Sequence, residues 1–124
     1  MTQEDKDLLL KDLCGRLPYG VKCKDDYAQI EGKLCQIGIN YDMCLLSDEY
    51  GESKWALVSN CKPYLFPLSS MTEEQEKEYL NTCNGYCNYY WTEETFDWLN
   101  AHHFDYRGLI DKDLSIDCTD LNIY

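Results

Sequence analysis

Basic side chains are scarce in this sequence. Lys and Arg together number 11 against 23 Asp and Glu, for a formal net charge of −12 at pH 7. That balance excludes nonspecific binding to nucleic acid or to an anionic membrane, both of which need a basic face. Long apolar runs are also missing, since no stretch approaches the roughly 18–20 residues that cross a bilayer. Met1-Thr2-Gln3-Glu4-Asp5 is polar and acidic where a secretory signal would be basic and then apolar, so the expectation is a soluble, cytoplasmic protein. There is no internal repeat, low-complexity tract or Gly/Ser linker, and 124 residues are read as a single domain, 1–124. Catalytic signatures are lacking too. The chain contains no Gly-x-Ser-x-Gly, no Gly-x-x-x-x-Gly-Lys, no His-Glu-x-x-His and no Gly-rich dinucleotide fingerprint.

What is there is the composition of a folded globule, 44% hydrophobic and 14% aromatic. Eight cysteines stand out: Cys14, Cys23, Cys35, Cys44, Cys61, Cys83, Cys87 and Cys118. In a reducing compartment they are expected as free thiols that pack as small apolar residues. No Cys-x-x-Cys occurs and the tightest pair is Cys83-x-x-x-Cys87, so neither zinc nor any cofactor is expected.

The charge is uneven. Residues 1–62 hold 8 basic and 11 acidic side chains, and residues 63–124 hold 3 and 12. The change falls at Lys62-Pro63-Tyr64-Leu65-Phe66-Pro67, which reads as an aromatic turn or extended segment between two structural halves. Ahead of it, Thr2 and Asp5 offer a cap, and Leu9, Leu10, Leu13, Cys14 and Leu17 recur at helical spacing until Pro18 and Gly20. Short apolar runs then follow at 21–24, 27–30, 33–39, 42–46 and 54–58, punctuated at Gly32, Gly38-Ile39-Asn40 and Asp48-Glu49-Tyr50-Gly51. The second half reads as two helices. Ser70-Met71-Thr72-Glu73 and Thr72-Glu73-Glu74-Gln75 fit the capping box. That helix presents Tyr79, Leu80 and Cys83 and stops at Gly85. Another starts at Thr92, with Trp91 placed to staple onto Phe96, and stops near His102. The remaining tail, 104–124, adds an edge strand or wraps the surface. The expected fold is α+β: a small antiparallel sheet or barrel over about residues 20–60, an N-terminal helix and two C-terminal helices.

The candidate ligand site is the hydroxyl-rich start of the helix at Thr72. Ser69, Ser70 and Thr72, with free backbone N–H groups, suit an anion, although capping explains the same residues. Arg107 is one of three cations in the acidic half, and Tyr106 and Tyr64 could stack on a ligand; an Asp105–Arg107 or Arg107–helix ion pair is the structural alternative. Tyrosine numbers 11, with Tyr86, Tyr89, Tyr90 and Trp91 nearly consecutive, a pattern that serves recognition surfaces and core rims alike. His102 and His103 are the only near-neutral bases, and a small hydrolase would use one of them.

Three blocks carry a resemblance: Leu8-Leu9-Leu10-Lys11-Asp12-Leu13-Cys14-Gly15-Arg16-Leu17-Pro18-Tyr19-Gly20-Val21, Lys62 through Glu74, and His103-Phe104-Asp105-Tyr106-Arg107-Gly108-Leu109-Ile110. They resemble a family of short accessory proteins encoded by phages and mobile elements of gut Bacteroidales, and the stretch from Lys22 to Cys61 follows no such pattern. The resemblance implies a counter-defence setting without catalysis. The expected activity is sequestration of a cyclic nucleotide or other phosphate-bearing immune signal in the host cell. The alternative is an acidic inhibitor that occludes a host defence protein or mimics nucleic acid. The implied partners include neither nucleic acid nor a membrane, and no catalytic residue follows from the resemblance.

Overall fold

A computed structural model describes residues 1–84 and 90–124. The chain is α+β. Helix α1 (Gln3–Arg16) starts as the sequence indicates: the Thr2 hydroxyl accepts the Asp5 N–H, and the Asp5 carboxylate accepts the Thr2 N–H. A 3-10 turn at Leu17–Tyr19 and left-handed Gly20 end it. Four strands follow as an antiparallel meander: β1 (Lys22–Asp25), β2 (Ile30–Gly38), β3 (Met43–Ser47) and β4 (Ser53–Leu57). The chain then returns along β1 as β5 (Cys61–Pro67). Helices α2 (Glu73–Thr82) and α3 (Glu93–Ala101) precede two short strands, β6 (Phe104–Asp105) and β7 (Ile116–Asp117), both parallel to β5. The sheet order is β4-β3-β2-β1-β5-β6 with β7 also on β5, and the sheet is open rather than a closed barrel.

Three expectations are corrected. The run at 27–30 is mostly a turn, because the Asp25 carboxylate accepts the N–H groups of Tyr27 and Ala28 and Gln29 takes φ +56°. Gly32 lies inside β2 instead of punctuating it, where an added Cβ would run into the Ser47 backbone. The segment 62–67 is extended, one of the two forms its prolines indicate, but as part of β5 it lies inside the sheet between β1 and β6 rather than linking two halves. Its pairings are short, three residues with β1 and two each with β6 and β7, which leaves gaps in the ladder.

One such gap is closed by a side chain. Continuing the β1–β5 register would pair Lys22 with Tyr64, but the Tyr124 hydroxyl accepts the Lys22 N–H at 2.8 Å and donates to the Tyr64 carbonyl at 2.9 Å. The tail thus wraps the sheet through its tyrosine. Leu9 and Leu13 of α1 pack with Val21, Cys23, Leu34, Cys44, Leu46 and Leu65, and Leu109 and Leu114 close the same core. The α2 carbonyl of Thr82 accepts hydrogen bonds from the Thr92 and Thr95 hydroxyls, joining α2 to α3. Gly85, expected as a helix stop, and Tyr86, Cys87 and Tyr89 lie outside the described residues; α2 itself ends at Thr82.

Candidate functional site

The Thr72 helix start is a complete capping box. Its hydroxyl accepts the Gln75 N–H at 3.1 Å, and the Gln75 side chain accepts the Thr72 N–H at 3.0 Å. Ser70 donates to the Pro67 carbonyl at 2.7 Å. Ser69 is exposed and lines a depression of about 310 Å³ with Leu68, Met71, Glu76 and Tyr79, where the Glu76 carboxylate opposes an anion. Tyr64 is buried in β5, its phenol pushed up to about 12 chiefly by burial and then by nearby Glu31.

Arg107 sits in a different constellation. Its Nε lies 3.2 Å from the Asp12 Oδ1 of α1, within ion-pair distance though not aligned as a hydrogen bond. The other Asp12 oxygen accepts from Arg16 Nε at 2.8 Å, and Arg16 also donates to the Phe104 carbonyl at 2.7 Å. Asp12 and Arg16 are both fully buried. The Tyr106 ring is shared by both guanidinium groups, at 5.1 Å from Arg16 and 5.0 Å from Arg107, while its hydroxyl donates to Asn100 Oδ1 at 2.9 Å. Gly15 floors this cluster: a Cβ there would lie 3.9 Å from both the Arg107 guanidinium and the Tyr106 hydroxyl. The helix ion pair foreseen for Arg107 is therefore with Asp12. Asp105 instead accepts the N–H groups of Leu109 and Ile110. The structure brings Arg107 and Tyr106 together, while the polar partners of Ser70 and Thr72 are Pro67 and Gln75.

The histidines are engaged by rings. His102 stacks on Trp98 at 4.2 Å and its Nδ1 meets the Trp98 carbonyl at 2.9 Å. His103 takes φ +62° and stacks on Tyr124 at 3.7 Å. Burial and then Arg16 push its imidazole down to about 4. At neutral pH it is uncharged.

The exposed site that sequence reasoning missed is apolar. Strand alternation turns Cys44, Leu46 and Ala56 inward and Met43, Leu45, Trp55 and Leu57 outward. Met43 pairs with Leu57 and Leu45 with Trp55 across β3 and β4, and Tyr41 and Gly38 join Met43 and Trp55 around a depression of about 220 Å³. Tyr41 is 79% exposed, Leu57 47% and Trp55 46%. The signal was present as alternation in 43–47 and 53–57, whose outward members are as apolar as the inward ones.

Among the described residues, no helix is long and apolar enough to cross a membrane, and no group of three or more His, Cys, Asp and Glu is placed to hold a metal ion. No protein-family model, curated protein or solved structure matches the chain.

Proposed function

We infer that this chain is a non-enzymatic binding protein that acts by covering a partner protein, with the outer face of β3 and β4 as its contact surface. The observation that carries this reading is the outward face formed by exposed Tyr41, Trp55 and Leu57 with half-buried Met43 among them. Tyr and Trp are the residues that anchor interfaces, because they bury much area for few rotatable bonds. The chain's net charge of −12 favours a basic partner. In the counter-defence setting implied by the sequence resemblance, that partner is a host protein. Affinity capture from host extract tests the reading. Wild type and Arg107→Ala should retain one shared partner that raised salt weakens, and Trp55→Ala should lose it. Retention unaffected by Trp55→Ala overturns the reading.

A second reading keeps the phosphate-bearing signal, contacted by the partly exposed Arg107 with buried Arg16 behind it. These two guanidinium groups face one carboxylate beside the Tyr106 ring, leaving a local positive charge in an acidic protein. Ser69, Ser70 and Thr72 contribute less to it than the sequence suggests, because Ser70 and Thr72 already have intramolecular partners. Calorimetric titration with cyclic dinucleotides and cyclic ADP-ribose-type signals decides. Loss of one charge-assisted contact in Arg107→Ala should cost about 1.5–3 kcal/mol, roughly ten- to a hundred-fold in affinity. Absence of binding to wild type removes this reading.

A further inference from the structure

Two cysteines from strands that are not neighbours in the sheet meet in the core. Cys44 of β3 and Cys61 at the start of β5 place their sulfurs 2.9 Å apart, and both residues are fully buried. β2 and β1 lie between their strands in the sheet, so the two side chains meet through the core rather than across a shared ladder. The 3-10 turn at Val58–Asn60 carries the chain from β4, where Ala56 pairs with Cys44, back to Cys61. Such proximity is closer than two unbonded sulfurs ordinarily hold, and neither thiol has to search for the other. We propose that Cys44 and Cys61 form an oxidation site, at which a hydroperoxide converts the thiol pair to a disulfide that ties the edge hairpin β3–β4 to the central strand β5.

The chemistry balances within the pair. The Cys44 thiolate attacks a peroxide oxygen and the O–O bond breaks. Cys44 becomes a sulfenic acid, and the departing hydroxide takes the Cys44 proton to give water. The Cys61 sulfur then attacks the Cys44 sulfur, the S–O bond breaks, and the second hydroxide leaves as water with the Cys61 proton. Both thiols are oxidised by a total of two electrons and one peroxide is reduced. Electrostatics assign the order. The hydrogen bond with Cys61 holds the Cys44 thiol below its ordinary range, whereas that same bond, with burial, pushes Cys61 up. Cys23, the next buried thiol, is pushed up by burial and by Cys44, so it is the poorer nucleophile. The oxidant must be small because the pair is enclosed, and hydrogen peroxide is close to water in size. Local opening of the edge hairpin admits it.

This proposal is independent of the binding readings above. The test is to treat folded wild-type protein with hydrogen peroxide, alkylate the remaining thiols after denaturation, digest without reductant and map cross-linked peptides by mass spectrometry. The result expected is a Cys44–Cys61 link, placed by fragmentation because Cys35 shares the tryptic peptide of Cys44. The link should vanish on treatment with dithiothreitol, and the oxidised protein should unfold at a higher temperature than the reduced one. Recovery of Cys44 and Cys61 as alkylated thiols overturns the proposal, as does a link from Cys44 to Cys23 in place of Cys61. The assay reads wild type, so it does not depend on whether a Cys44→Ser or Cys61→Ser chain folds.

Discussion

Arg16 is the largest fully buried side chain among the described residues, and its charge is answered inside the protein by Asp12 one helical turn away. Removing the carboxylate would leave Arg16 and Arg107 facing each other with no counter-charge. Asp12→Ala should therefore destabilise by about 3–5 kcal/mol, the range for breaking a buried pair from one side, read as a shift in the urea midpoint at unchanged slope. Arg107→Ala should cost less, because its side chain is partly solvated. His103 makes a second prediction, about pH. Its folded-state value near 4 lies below the unfolded value of about 6.5, so the unfolded chain binds the extra proton first. Its contribution to stability is full above pH 6.5 and is lost as pH falls from 6.5 to 4. Allowing for partial solvent screening, the loss is about 2 kcal/mol. Unfolding measured at pH 7.5 and 4.5 should show it, and His103→Asn, which tolerates the positive φ, should flatten it. The sequence hid the charged core because Asp12 and Arg16 look like a solvent-exposed i,i+4 pair. Yet Leu9, Asp12, Leu13 and Arg16 recur at the same spacing as an apolar stripe, and they are the buried face of α1, while Cys14, assigned to that face, is exposed.

Among the elements, the helices were the most legible. Thr2, Thr72 and Thr92 each cap where their side-chain chemistry indicates, and Trp91 meets Phe96 edge-on at 5.4 Å as the staple requires. Thr72→Ala should cost about 1 kcal/mol by thermal unfolding, the usual value of a lost cap. The short apolar runs read at 21–24, 33–39, 42–46 and 54–58 fall on β1, β2, β3 and β4, each within a few residues of the strand's ends. The tail is expected to add an edge strand or wrap the surface, and β6 and β7 are strands that it adds; their parallel pairing with β5 was not legible, because two-residue strands are set by where α3 and the Leu109–Leu114 turn deliver the chain. Gly32 was misread because a glycine in a strand and a glycine in a turn look alike in sequence. Gly32→Ala should press β2 off the Ser47 backbone and destabilise by more than about 1 kcal/mol, and proton shifts across β2 and β3 would locate the damage.

At the scale of the whole molecule, the acidic composition and the apolar β3–β4 face explain why the sequence pointed toward binding while missing the surface proposed for it. Charge is counted from composition. A patch appears only when the sheet turns Trp55, Leu57 and Met43 to one side and the turn at Ile39–Tyr41 lays Tyr41 beside them. The candidate site inferred from hydroxyls and Arg107 drew on local patterns, and those patterns are used by the fold itself. The central claim is that the outer face of β3 and β4 binds a protein partner. The measurement that bears on it most directly is the dissociation constant of the captured partner for wild type, Trp55→Ala and Arg107→Ala, each shown folded by its unfolding transition. The account predicts that Trp55→Ala weakens binding about 30-fold or more, the scale of a central aromatic anchor worth about 2 kcal/mol, while Arg107→Ala binds as wild type does. Equal affinity for wild type and Trp55→Ala, or a loss confined to Arg107→Ala, would contradict it.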